Sequence, residues 1–107
     1  MDKRAVVKNV HKFREAIEAP RGIQPVKIIL FGSYAAGTNQ EDSDIDIIVI
    51  SDDFTGRSYW ERIDLLADAI YDMFAPVEAT ALTPDEWDRG NSFINDFARN
   101  GEVLFAA

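Results

Sequence analysis

Two aspartates one residue apart, Asp44 and Asp46, stand at the head of the apolar run Ile45 to Ile50, and a Gly32-Ser33 pair lies a short way upstream. Side chains at i and i+2 of a strand share a face, so the two carboxylates sit together while Ile45 and Ile47 face the other way. Two strand rises separate their Cα atoms by ~6.7 Å, and both can converge on a cation that binds oxygen at ~2.1 Å. Mg²⁺ with a nucleoside triphosphate suits such a site, because this ion is usually held by one or two carboxylates plus substrate phosphates. An aspartate between two isoleucines is costly if buried without a partner, which favours a ligand role for Asp46 over a purely structural one.

The glycine-serine end completes that chemistry. Val26 to Phe31 reads as a buried strand that stops at Gly32. Ser33 is placed to cap a short helix, Tyr34 to Ala36, which Gly37 would end. Unpaired N–H groups at a helix start, a hydroxyl and a glycine that lets phosphate approach the backbone together form a phosphate cradle.

The remaining elements must hold these residues in place. Val6, Val10, Phe13 and Ile17 recur at helical spacing before Pro20-Arg21-Gly22, predicting an amphipathic N-terminal helix. After the polar loop Thr38 to Ser43 comes a strand, Asp44 to Ile50, and then a loop from Ser51 to Gly56. Ser58 and Glu61 form a capping-box pair ahead of Ile63, Leu66, Ala67, Ile70 and Phe74, the apolar face of the longest helix, which stops at Ala75-Pro76. A third strand runs from Val77 to Leu82. Thr83-Pro84-Asp85-Glu86 repeats the helix-start grammar, a last helix spans Asn91 to Arg99 before Gly101, and Glu102 to Phe105 adds an edge strand. Alternating strands and helices predict an α/β or α+β fold on a mixed sheet, and 107 residues are expected to form one domain, 1–107. His11, Arg57 and Arg62 read as surface residues, and Tyr59, Trp60 and Trp87 as packing residues.

No cysteine is present, which excludes disulfides, zinc-thiolate sites and thiol catalysis. A net charge of −8 and a pI near 4.4 argue against an extensive nucleic-acid surface, since such binding leans on lysine and arginine. Neither a signal-peptide core nor ~20 consecutive apolar residues occur, so a cytoplasmic protein without membrane attachment is expected.

Gly32-Ser33, Gly37 and Ser43-Asp44-Ile45-Asp46 together resemble the signature of the DNA polymerase beta-like nucleotidyltransferases, especially the minimal nucleotidyltransferase (MNT) branch. Val77 to Leu82 resembles the family's later strand bearing a third carboxylate, here Glu78, where relatives more often have aspartate. The resemblance implies a polymerase beta-like fold and a nucleotide subsite at Gly32, Ser33, Gly37 and Ser43. Asp44, Asp46 and Glu78 would then be catalytic residues and ligands to Mg²⁺, two ions in all, with ATP or another nucleoside triphosphate as substrate. It further implies a partner of HEPN fold, often an RNase toxin, toward which the small protein acts as antitoxin; some relatives transfer AMP onto a partner tyrosine. The chain ends soon after the catalytic half, so a hetero-oligomer or homodimer is expected to complete the site. Two other functions fit the same residues: an antitoxin that masks its partner without transfer, and a subunit of an aminoglycoside-type nucleotidyltransferase.

Overall fold

Apolar periodicity decides where the chain buries itself. The computed structural model describes every residue except 20, 74, 91 and 92, and for Phe97 the backbone alone. Helix α1 (Lys3–Glu18) starts at Asp2, whose carboxylate accepts from the Ala5 N–H at 2.8 Å. It buries Val6, Val10, Phe13 and Ile17 along one stripe, each side chain contributing about 1.5–3 kcal/mol. Strand β1 (Lys27–Phe31), the single-turn α2 (Ser33–Ala36) and strand β2 (Ile45–Ile50) follow. A 3₁₀ turn at Asp52–Phe54 leads to α3 (Tyr59–Tyr71), β3 (Val77–Leu82), α4 (Pro84–Arg89), α5 (Phe93–Ala98) and β4 (Glu102–Ala106).

The sheet order is β3-β2-β1-β4. β1 runs antiparallel to β2 and β4, whereas β2 and β3 are parallel and joined by the α3 crossover, giving the expected mixed α+β sheet. One face, with Ile28, Leu30, Ile45, Ile47 and Val49, packs with Val6, Phe13 and Leu66 of α1 and α3. The other face holds Ile29, Ile48 and Ile50 under Ala98, with Trp87 and Ile94 packed beside them. Strand alternation therefore puts Asp46 in line with Ile48 and Ile50, on the face opposite α1 and α3.

Both predicted capping boxes form. Ser58 Oγ accepts from the Glu61 N–H while Glu61 accepts from the Ser58 N–H, and Thr83 and Glu86 do the same ahead of Pro84. Several expectations need correction. Gly32, not Ser33, is the N-cap of α2, and no side chain caps it. Asp44 is exposed and precedes β2 by one residue. Helix α3 ends at Tyr71, where the Met73 N–H bonds the Ile70 C=O at 2.9 Å and tightens the last turn. Its buried residues are Leu66 and Ala69, while Ile63 and Ala67 are exposed. Tyr59 and Trp60 do not pack inward: they are 68% and 70% exposed. Arg62 is not a free surface charge, because it bonds Glu86 Oε1 at 2.6 Å. The helix stop at Pro20, the place of Phe74 on α3 and the start of the last helix at Asn91 lie outside the described residues. Gly101 closes α5 without left-handed backbone; a Cβ there would meet the Leu30 carbonyl oxygen at 2.5 Å, so close packing on β1 requires it.

Candidate functional site

Asp46 is the second residue of β2, and the sheet register fixes its neighbours. Its antiparallel partner is Phe31, the last residue of β1, and its parallel partner is Glu78 on β3. The next residue after Phe31 is Gly32, with φ 74° and ψ −154°, a backbone region essentially reserved for glycine. A Cβ at Gly32 would lie 3.1 Å from the Asp46 Cγ and nearer still to Oδ2. The carboxylate thus occupies the space a side chain would fill, and this close approach sets the turn between β1 and α2.

Phe31, Gly32, Ala36, Asp46, Glu78, Thr80 and Ile94 line a cavity of about 520 Å³ at this end of the sheet. The volume is in the range of small-molecule pockets. Of the residues expected from sequence, the structure brings Gly32, Asp46 and Glu78 together. Ser33 follows as the first residue of α2, half-buried, and the N–H groups ahead of the first helical bond, Ala36 N–H to Gly32 C=O at 3.0 Å, belong to this turn. Gly37 is the left-handed C-cap of α2, and the Ser43 hydroxyl accepts from the Gln40 N–H at 2.7 Å; neither lines the cavity. Phe31, Ala36, Thr80 and Ile94 are lining residues the sequence reading did not single out. Thr80 was within reach, being two residues from Glu78 on the same strand face, whereas Ile94 arrives from α5 by packing alone.

Burial and neighbouring acids set the electrostatics of Asp46. The Asp46 carboxyl is pushed from 3.8 up to about 6, first by burial, then by repulsion from Glu78, a hydrogen bond with Glu78, and weaker repulsion from Asp44. Like charges opposite one another on neighbouring strands oppose pairing, so this arrangement costs stability unless a cation or a proton is held there. An all-oxygen, anionic donor set suits Mg²⁺. Asp46 and Glu78 supply its paired core, with Asp44 as the adjoining acid; among the described residues no three His, Cys, Asp or Glu side chains already converge as a metal-binding group.

Two substitutions separate backbone geometry from phosphate contact. Gly32→Ala is expected to cost about 1–3 kcal/mol, since alanine must adopt the glycine-only backbone and displace the Asp46 carboxylate. Ser33→Ala should leave stability within about 0.5 kcal/mol and weaken triphosphate binding by ~1 kcal/mol, one lost hydrogen bond. Urea unfolding and calorimetric ATP titration of the pair check this; equal stability in both variants would contradict the assigned role of Gly32.

Comparison with known proteins places this geometry. The candidate protein adenylyltransferase of Methanocaldococcus jannaschii is 44% identical over 45 residues, an alignment covering 42% of this chain and 45% of that protein, so the match spans less than half of the relative. The crystal structure of a candidate nucleotidyltransferase from Sulfolobus solfataricus superposes with a TM-score of 0.72 at 17% identity, covering 96% of this chain and 82% of that one, which establishes the shared fold. A toxin–antitoxin structure with AMP-PNP superposes with a TM-score of 0.54 at 28% identity, over 92% of this chain and 74% of that chain. The profile of the nucleotidyltransferase domain matches residues 10–95, a span that takes in the Gly32 turn and both strands carrying Asp46 and Glu78, and the chain belongs to that family.

Proposed function

We propose that the protein is a Mg²⁺-dependent adenylyltransferase that moves AMP from ATP to a hydroxyl of a HEPN-domain partner and acts as its antitoxin. One observation carries the reading: Asp46 and Glu78 face each other across β2 and β3, beside the side-chain-free Gly32, in a cavity open to substrate. The relative described as a protein adenylyltransferase and the similar toxin–antitoxin structure with AMP-PNP support the choice of donor and acceptor.

In this reading the triphosphate lies along the Gly32-Ser33 turn, with Ser33 donating its hydroxyl and the α2 N–H groups facing the phosphates. Bound Mg²⁺ supplies charge neutralisation at the phosphate oxygens and lowers the pKa of the acceptor hydroxyl. Asp44, Asp46 and Glu78 would hold the ion, and Glu78, exposed on the edge strand β3, is placed to take the hydroxyl proton. The acceptor oxygen bonds to the α-phosphorus, the bond from that phosphorus to the bridging oxygen breaks, and pyrophosphate departs with the electron pair.

A masking role without transfer is the second reading, favoured by the absence, among the described residues, of a ready-made group of three acids. Mass spectrometry of a co-expressed HEPN partner after incubation with ATP and Mg²⁺ separates the two. Addition of one or more adenylyl groups is expected; an unmodified partner that is nonetheless tightly inhibited assigns masking.

A further inference from the structure

We propose that the acceptor enters as an extended, basic polypeptide segment laid along the outer edge of β3, between that strand and the first turns of α3. This rests on the nucleotidyl-transfer reading and names where its acceptor binds.

β3 pairs with β2 on one side and forms an edge of the sheet. In the parallel ladder, the Ile45 N–H bonds the Pro76 C=O at 2.7 Å and the Ser51 N–H bonds the Leu82 C=O at 3.0 Å. That register turns the backbone groups of Glu78 and Thr80 toward β2 and those of Val77, Ala79 and Ala81 outward. Arg62 occupies the far end, donating to the Ala81 C=O at 3.4 Å while paired with Glu86. The open stretch of edge is therefore centred on Ala79, the immediate neighbour of Glu78.

A groove of about 340 Å³ runs beside this edge, walled by Tyr59, Ile63 and Leu66. Glu78 and Thr80 line both the groove and the carboxylate cavity, so strand β3 alone separates the two, and a strand added at its edge would send alternate side chains to each. Outward strand amides and carbonyls recognise a peptide backbone, which adds as a further strand and sends alternate side chains into flanking pockets. Small acceptors make no use of such an edge. Tyr59 and Trp60 stand edge-to-face with ring centroids 5.2 Å apart and, with Ile63, offer an exposed apolar wall. Of the two charged side chains along the groove, Arg62 is already paired with Glu86 and Glu78 is exposed, and the chain carries a net charge of −8, which favours basic side chains on the occupant.

The test uses poly(Lys,Tyr) and poly(Glu,Tyr) copolymers as probes with the full chain, in the absence of ATP. Saturating poly(Lys,Tyr) should slow hydrogen exchange at the Ala79 amide at least tenfold, and poly(Glu,Tyr) should leave it unchanged. Tyr59→Ala and Ile63→Ser should each weaken poly(Lys,Tyr) binding at least fivefold while Mg²⁺–ATP affinity stays within twofold. Both substitutions remove apolar wall without changing charge, so non-specific attraction to a polycation would leave binding unchanged; that result overturns the proposal. Unchanged exchange at Ala79 overturns it too, as does protection that rises with protein concentration alone, which assigns the edge to a second copy. Because these readouts need no catalysis, absence of AMP transfer in the wild type would count against the proposed reaction and not against the groove.

Discussion

Asp46→Asn is expected to stabilise the metal-free protein while weakening the Mg²⁺-dependent ATP binding proposed for it. The Asp46 carboxyl titrates near 6 in the folded chain against 3.8 for an unperturbed group, so between these values the folded state binds more protons than the unfolded one. Its contribution to stability is therefore fully present below pH ~4 and lost as pH rises through about 6. At pH 8 the asparagine variant should exceed wild type by on the order of 1 kcal/mol, a figure reduced from the full shift because solvent screens a partly exposed carboxylate. The advantage should disappear near pH 4, as read from urea unfolding in EDTA at several pH values. Binding should move the opposite way: Asp44→Asn/Asp46→Asn should lower ATP affinity in Mg²⁺ by on the order of 100-fold, ~2.8 kcal/mol, in calorimetric titration. A folded double variant with undiminished affinity would remove the metal assignment, and an Asp46→Asn protein less stable at pH 8 would remove the electrostatic one.

Glu78 should act on turnover far more than on nucleotide binding. It faces Asp46 across the parallel ladder and also lines the acceptor-side groove, so its charge matters most when the acceptor hydroxyl loses its proton. Glu78→Gln is expected to keep ATP affinity and partner association while losing AMP transfer by about 10²–10⁴-fold, the usual size of a general-base contribution. Glu78→Asp, which restores the charge on a shorter arm, should retain transfer. Rates of partner adenylylation for the three proteins provide the check; wild-type rates in Glu78→Gln would take the residue out of the reaction.

Elements defined by local chemistry were legible in the sequence. The stripe Val6, Val10, Phe13 and Ile17, the boxes Ser58/Glu61 and Thr83/Glu86, and the bounds of β3 all follow from spacing or from hydrogen bonds between near neighbours. Errors arose where tertiary geometry chose between local options. Residues 63, 66, 67 and 70 and residues 65, 66, 69 and 70 both describe a helical face, and only the position of α3 on the sheet buries Leu66 and Ala69 and leaves Ile63 out. Serine prefers the cap position, but the cap residue here must leave room for Asp46, and only glycine does. The Asp46–Glu78 pairing depends on the register of two strands separated by a whole helix, which no local pattern encodes.

That parallel pairing also bears on how the protein comes to be folded. β1 and β2 meet across a short connection, whereas β2 and β3 must close the long α3 crossover before their ladder yields any hydrogen bonds, and such non-local pairings form slowly. The step that closes this ladder is also the step that drives Asp46 against Glu78. Assembly of the carboxylate pair is thus tied to a non-local contact of the sheet and resisted by its own charge. Magnesium and protons, by relieving that repulsion, would act on the rate at which β3 docks on β2 as well as on the finished site.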